Sequence, residues 1–278
     1  MISLTVDGLT FTSDTNSGWG LSDIDGWLPG PPIKTQSRDR PQADGNFGIA
    51  KFYRSARALT VTGLLTAETE PIATAMRYSV AALQSDGLPS SFVVDENGFV
   101  LSMIAELVGS PDISLITETV YSYVLQFQAD DSRKYAPELV TITGLGTSGT
   151  GLIFPITYPV DFGTPGDPGR LVTTNSGTAD TYSLFEVTGG LSGGFQLLCI
   201  ETGQVIRFER TIPVGSVVTV NPSTGRASID GQSDVSGFLT RQEWWFIPPG
   251  VTRTIQFSAL GSVTGTPTLT ARTRPAYW

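Results

Sequence analysis

From Tyr121 to Ala129 the chain alternates with a period of two. Tyr121, Tyr123, Leu125, Phe127 and Ala129 fall on one face, Ser122, Gln126 and Gln128 on the other, and only Val124 breaks the pattern. This is the signature of a strand with one buried and one wet face. Leu59 and Val61, set between Ala58, Thr60 and Thr62, repeat it. Val93 to Leu107 reads as two β-rich runs joined by the turn Asp95-Glu96-Asn97-Gly98. A chain patterned this way must bury sheet faces, which sets the class as mainly β.

One stretch departs from period two. Between Thr69 and Ser85, Ile72, Ala75, Met76, Val80 and Leu83 approximate the three-and-four spacing of a helix face. Thr69 suits an N-cap, Glu70 suits the positive end of the helix dipole, and Pro71 is tolerated in the first turn. Asp86-Gly87-Leu88-Pro89 closes the segment. The spacing predicts one helix over about 69–86, packed on an N-terminal β domain spanning 1–138.

The run Gly144 to Gly151 is made of small residues and follows a charged stretch, Asp130 to Glu138. It marks a linker, expected over 139–151. Beyond it no helical period appears. Val217–Val220, Asn221-Pro222-Ser223-Thr224-Gly225 and Arg226–Ile229 form a hairpin pattern. Trp244–Ile247, Pro248-Pro249-Gly250 and Arg253–Phe257 follow the same logic. Residues 152–278 are therefore expected to fold as an antiparallel β-sandwich or jelly roll.

Composition removes several function classes. The chain of 278 residues has no His and one Cys, Cys199, so His-based triads, His or multi-Cys zinc sites and internal disulfides are excluded. Its net charge of −9 opposes nucleic-acid binding, which rests on neutralising phosphates. Its apolar runs fall far short of a membrane helix, and the first residues carry no signal-peptide pattern. No specific nucleic-acid binding and no membrane insertion are expected.

Individual motifs carry little chemistry. Asp23-Ile24-Asp25-Gly26 opens like a calcium loop, but Trp27-Leu28-Pro29-Gly30 follows in place of further oxygen ligands, so a turn is the better reading. Gly189-Gly190 and Gly193-Gly194 read as turns or bulges rather than a phosphate loop. No acidic pair stands out for glycosidase chemistry. The chain is expected to be non-enzymatic, without metal or cofactor. Adjacent Trp244 and Trp245 should point to opposite faces, one into the core and the other at an interface or a glycan-stacking position. Cys199 reads as a small buried hydrophobe. Arg38, Arg40, Arg54 and Arg57, with Asp44, surround an apparent loop from Lys34 to Gly48. Both a solvated face and a salt-bridged subunit interface fit them, since arginine forks carboxylates.

Read in order, three stretches resemble the distal tail protein family of long, non-contractile-tailed bacteriophages. The first is Arg38-Asp39-Arg40-Pro41-Gln42-Ala43-Asp44-Gly45-Asn46-Phe47-Gly48, followed by Arg57-Ala58-Leu59-Thr60-Val61-Thr62-Gly63. The second is Phe127-Gln128-Ala129-Asp130-Asp131-Ser132-Arg133-Lys134-Tyr135, where Ser132 replaces the family's usual proline. The third is Val172-Thr173-Thr174-Asn175-Ser176-Gly177-Thr178-Ala179-Asp180-Thr181-Tyr182, with Trp245-Phe246-Ile247-Pro248-Pro249-Gly250 and Tyr277-Trp278 near the end.

The resemblance implies a structural virion protein at the tail tip, made in the bacterial host cytoplasm. Its copies would form a homohexameric ring joining the tail tube protein to the tail-tip hub protein. The N-terminal domain would line a channel, whose acidic wall would repel DNA. The C-terminal domain would be a galectin-like sandwich, projecting outward and offering a platform for a receptor-binding or side-fibre protein. A carbohydrate-binding module for host attachment is the alternative, with Trp244 or Trp245 as stacking platform. Galectins that bind galactosides use a His, which this chain lacks, so that site would be incomplete.

Overall fold

A computed structural model describes residues 1–13, 18–34, 39–47, 52–149 and 165–278. They divide into two compact units, Met1–Pro137 with Tyr277–Trp278, and Glu138–Ala276.

The first unit contains β1 (Ile2–Val6), β2 (Leu9–Thr12), β3 (Trp19–Asp25), β4 (Ile33–Lys34), β5 (Tyr53–Arg54), β6 (Arg57–Thr66), α1 (Glu70–Ala81), β7 (Ser90–Glu96), β8 (Phe99–Leu107), β9 (Asp112–Thr117), β10 (Val120–Ala129) and β11 (Lys134–Tyr135). Its main sheet runs β11-β8-β7-β1-β2-β3-β6-β10-β9, and β8 also pairs with β10. That extra pairing, through Phe127 with Leu107 and Gln128 with Glu106, closes the ladder into a barrel. Closure removes most of the free strand edges that an open sheet would present.

The alternation expected over 121–129 is realised in β10, where Tyr123, Leu125, Phe127 and Ala129 are buried. In β6 every second residue from Arg57 to Leu65 is buried in the same way. The β7–β8 hairpin turns at Asn97-Gly98, with φ of 57° and 92°. That left-handed pair twists with the flanking strands. Inside, Phe92 meets Phe127 edge-on at 5.3 Å between ring centres, and Trp27 tilts against Phe92 at 5.8 Å.

The helix ends earlier than its sequence pattern suggests, at Ala81, and its expected face holds at Met76, Val80 and Leu83 but not at Ile72 and Ala75, which are exposed. Ala73, Val80 and Leu83 are buried and Met76 packs against them, while Ile72 is exposed. Ala73, Met76, Val80 and Leu83 keep a stricter three-four-three spacing, so they form the narrower stripe that fits the barrel wall.

The second unit comprises β12 (Leu139–Gly144), β13 (Arg170–Thr174), β14 (Ser183–Thr188), β15 (Phe195–Cys199), β16 (Val205–Phe208), β17 (Val217–Asn221), β18 (Arg226–Ile229), β19 (Ser233–Asp234), β20 (Leu239–Gln242), β21 (Thr252–Ala259) and β22 (Thr268–Thr273). One sheet runs β12-β22-β14-β17-β18-β19 and the other β13-β21-β15-β16-β20. Alternating buried residues of both sheets build one core around Phe185, Phe195, Phe208 and Phe257. This is a sandwich, as the hairpin spacing suggested.

Two boundaries differ from expectation. Residues 139–144, expected within the linker, are strand β12, which pairs with β22 from Leu139–Thr273 to Gly144–Thr268. Residues 277–278 belong to the first unit. Residues 150–151 of the expected linker lie outside the described residues. Trp244–Ile247 is not a strand; its one backbone bridge among the described residues joins Ile247 to Thr181, and Trp245 packs on Phe185 of β14.

Candidate functional site

Among the described residues, no group of three or more His, Cys, Asp or Glu could hold a metal ion. Asp23 to Asp25, expected as a turn, belong to β3 and pair with β6; the turn begins only at Gly26, whose amide donates to Asp25 Oδ1 at 2.9 Å. Cys199 is buried, as expected.

What the residues do build is an exposed apolar ribbon on a rigid root. Between β3 and β6, the short strands β4 and β5 pair through Ile33–Arg54 and Lys34–Tyr53. Beyond them Asp39 bridges Asn46, and the Arg40 amide donates to the Gly45 carbonyl at 3.1 Å. The exposed apolar side chains here include Leu28 at 76%, Tyr53 at 64%, Phe52 at 58% and Phe47 at 57%. Monomeric surfaces scatter such groups singly; a concentration of them marks an interaction site.

The root is held by two buried cations. Arg57, the first residue of β6, is 1% exposed. Its Nη1 donates to the carbonyls of Gly26 at 2.7 Å, Trp27 at 3.2 Å and Pro29 at 2.7 Å, and its Nε to Ser132 at 3.1 Å. Lys134, on β11, donates to the Trp27 carbonyl at 3.1 Å and stands 4.9 Å from the indole centre. The Trp27 Nε1–H in turn donates to Glu96 Oε1 at 2.6 Å. Carbonyls that a tight irregular segment cannot pair within a sheet are thus satisfied by guanidinium and ammonium, as burial demands. Burial, and next the nearby Arg54, lower the pKa of Arg57. Burial, then Arg57, push that of Lys134 down to about 8, against a smaller opposing pull from Glu96.

The candidate interface residues therefore divide. Arg40 and Asp44 are exposed on the loop, and the Arg40 guanidinium lies 5.8 Å from the Phe47 ring centre. Arg54 is half-buried, donates to the Pro31 carbonyl at 3.1 Å and stacks 4.4 Å over Trp278. Arg57 is not presented to a partner, because its own chain surrounds it. Arg38 lies outside the described residues. Of the two tryptophans, Trp245 is 3% exposed and packs on Phe185 at 5.7 Å, so it offers no stacking platform. Trp244 is half-buried and lies under the β17–β18 turn, where a Cβ added to Gly225 would sit 3.6 Å from its Nε1.

Sequence reasoning missed Lys134, which shares the Trp27 carbonyl with Arg57, and missed Asn175. Asn175 is fully buried: its Nδ2 donates to Ala179 O at 2.7 Å and Ile247 O at 2.9 Å, and its Oδ1 accepts from Gly177 N at 3.0 Å and Ala276 N at 3.3 Å. The stretches that carry the family resemblance thus hold, among their residues, internal locks. A lone Asn or Lys gives no signal of this in one sequence.

No protein-family model matches the chain, and no curated protein matches it. Solved structures do. The SPP1 Dit (gp 19.1) protein, described as a paradigm of hub adsorption apparatus in phages that infect Gram-positive bacteria, superposes with a TM-score of 0.68 at 13% identity, covering 100% of both chains. A chain of the phage P2 baseplate in its activated conformation with calcium gives 0.52 at 9% identity, over 99% of this chain and 98% of that one. A chain of the strontium form of that baseplate gives 0.52 at 11% identity, over 98% and 97%. The chain has the fold of these proteins across both units.

Proposed function

We propose, from the fold shared with phage distal tail and baseplate proteins, that this chain is a non-enzymatic structural component of a phage tail tip. It forms a ring of six copies that joins the tail tube to the tail-tip hub and supports adsorption parts. The observation that carries this reading is the full-length likeness to SPP1 Dit, which includes both units in the same order. The ribbon supports it independently, since Phe52 and Tyr53 are exposed on a segment rooted by Arg57 and Lys134. A neighbouring copy would cover those side chains, and burying each large apolar group is worth about 1.5–3 kcal/mol. Arg40 and Asp44 are the polar contacts offered beside them. The acidic net charge suits a channel through which DNA passes without adhering.

Sedimentation of the purified chain against concentration tests this. Self-association of the native protein, weakened at least tenfold by Tyr53→Asp with an unchanged circular dichroism spectrum, is the expected result. An unaltered association constant would remove the ribbon from the interface.

A further inference from the structure

The outer face of the six-stranded sheet carries an open groove of about 360 Å³ that the tail-tip role leaves unused. Its polar lining is Thr219, Asn221, Arg226, Ser228, Gln232 and Asp234, and Leu184 provides an apolar patch. Strand register sets this arrangement. Thr219 on β17 pairs with Ser228 on β18, Ser228 pairs with Asp234 on β19, and Asn221 pairs with Arg226. One row of side chains therefore crosses three strands at the usual spacing of about 4.8 Å per strand. At the inner end of the row, Thr219 pairs with Glu186 of β14.

The groups are held but uncommitted. Thr219, Arg226, Ser228 and Gln232 make no side-chain hydrogen bond among the described residues. Asp234 is exposed at the groove and accepts from the Ser236 amide at 2.8 Å through Oδ1. Hydrogen bonds from Ser236 also lower its pKa, so it stays an anionic acceptor. The turn at one end is braced by Gly225 N donating to Asn221 O at 2.9 Å and by the indole of Trp244 beneath it. A site on paired strands with a braced turn needs little ordering when a ligand arrives.

We infer that this groove binds a neutral saccharide. A single guanidinium faced by a single carboxylate gives no net charge to attract a phosphate or a cation. Hydroxyls, an amide and the two charged groups together present donors and acceptors side by side, which is what vicinal hydroxyl pairs require. Leu184 offers the apolar contact that the C–H face of a sugar ring takes. The volume lies near the lower bound of ligand sites, roughly 300–1,000 Å³, and suits one or two sugar rings. Because the groove is open, affinity at one site should be weak, with a Kd on the order of 1 mM. Only the gain from multivalency, about 10²–10⁴ when several sites engage one surface, rests on the ring reading.

The test uses the full chain and saturation-transfer NMR with neutral oligosaccharides built from glucose, galactose, mannose, rhamnose, N-acetylglucosamine and N-acetylgalactosamine. At least one is expected to bind saturably. Arg226→Ala and Asp234→Asn, both at exposed positions, the second keeping an acceptor for the Ser236 amide, should each weaken it about tenfold with little change in the melting temperature. Glu209→Ala, just past β16 of the other sheet, should leave it unaltered. Lack of binding across the set overturns the inference, as does binding that survives both groove variants. None of these results depends on whether rings form, which the mass of the particles reports separately.

Discussion

The Lys134 ammonium donates a hydrogen bond to the carbonyl of Trp27 at 3.1 Å while standing 4.9 Å from the indole of the same residue. A residue at the end of the first unit thereby fixes the turn from which the apolar ribbon departs, and it does so as a buried cation beside another, Arg57.

That position predicts an alkaline rise in stability. The folded pKa is about 8, below the ordinary lysine value of 10.5. Between these values the unfolded chain holds the proton and the folded chain has released it, so stability increases with pH across that window. Tyr123 and Tyr135 have pKa values raised by burial above the ordinary 10, so their opposing contribution, a loss of stability, begins only above pH 10. Chemical denaturation from pH 7 to 10 should show a gain on the order of 1 kcal/mol, allowing for solvent screening. Lys134→Met should flatten the curve; a parallel curve in the variant would contradict the assignment.

Arg57 supplies four hydrogen bonds to backbone carbonyls. Arg57→Met would strand those acceptors, at a cost of about 3 kcal/mol or more in urea denaturation of the first unit. Arg57→Lys should recover little, because one ammonium cannot span the same carbonyls. Limited proteolysis should cut the ribbon faster in both variants, while an unchanged cutting rate would detach the root from the ribbon.

Asn175→Ala should destabilise the second unit by about 2–3 kcal/mol, since buried donors and acceptors on both sides of its amide lose their partner. Gly177→Ala should be at least as damaging: a Cβ there would lie 1.9 Å from the Ala276 carbonyl oxygen. Differential scanning calorimetry reads both. A transition unmoved by Asn175→Ala would mean that its carbonyl and amide partners are satisfied otherwise.

The two tryptophans should respond unequally. Trp245→Ala empties part of the core beside Phe185 and should cost about 3–5 kcal/mol. Trp244→Ala, at a half-buried ring under one turn, should cost about 1 kcal/mol. Equal losses would contradict the placement of Trp245 in the core.

Much of this architecture is legible from single residues. The alternation of Tyr121 to Ala129 and of Leu59 and Val61 is local, so β10 and β6 follow from it. The Asn221–Gly225 turn between β17 and β18 is legible for the same reason. Barrel closure is not, because the pairing of Phe127 with Leu107 leaves no local trace. In the sequence Arg57 falls with Arg38, Arg40 and Arg54 around the loop from Lys34 to Gly48, and nothing local separates the buried one from the others. Its acceptors sit at Gly26, Trp27, Pro29 and Ser132, too far along the chain for spacing to reveal. Strand β12 was hidden by its neighbours: the small residues from Gly144 onward resemble a connector, and the preceding Leu139 to Thr143 contribute a strand only once β22 is present to pair with them. The groove was missed because its hydroxyl, amide and charged groups come together through register across β17, β18 and β19.

Electron microscopy of the purified chain tests the central claim most directly. Class averages showing six-fold rings with a central hole, at a native mass six times the 29.6 kDa of one chain, are the predicted result. Single-chain particles at every concentration, or closed assemblies of another symmetry, would contradict it.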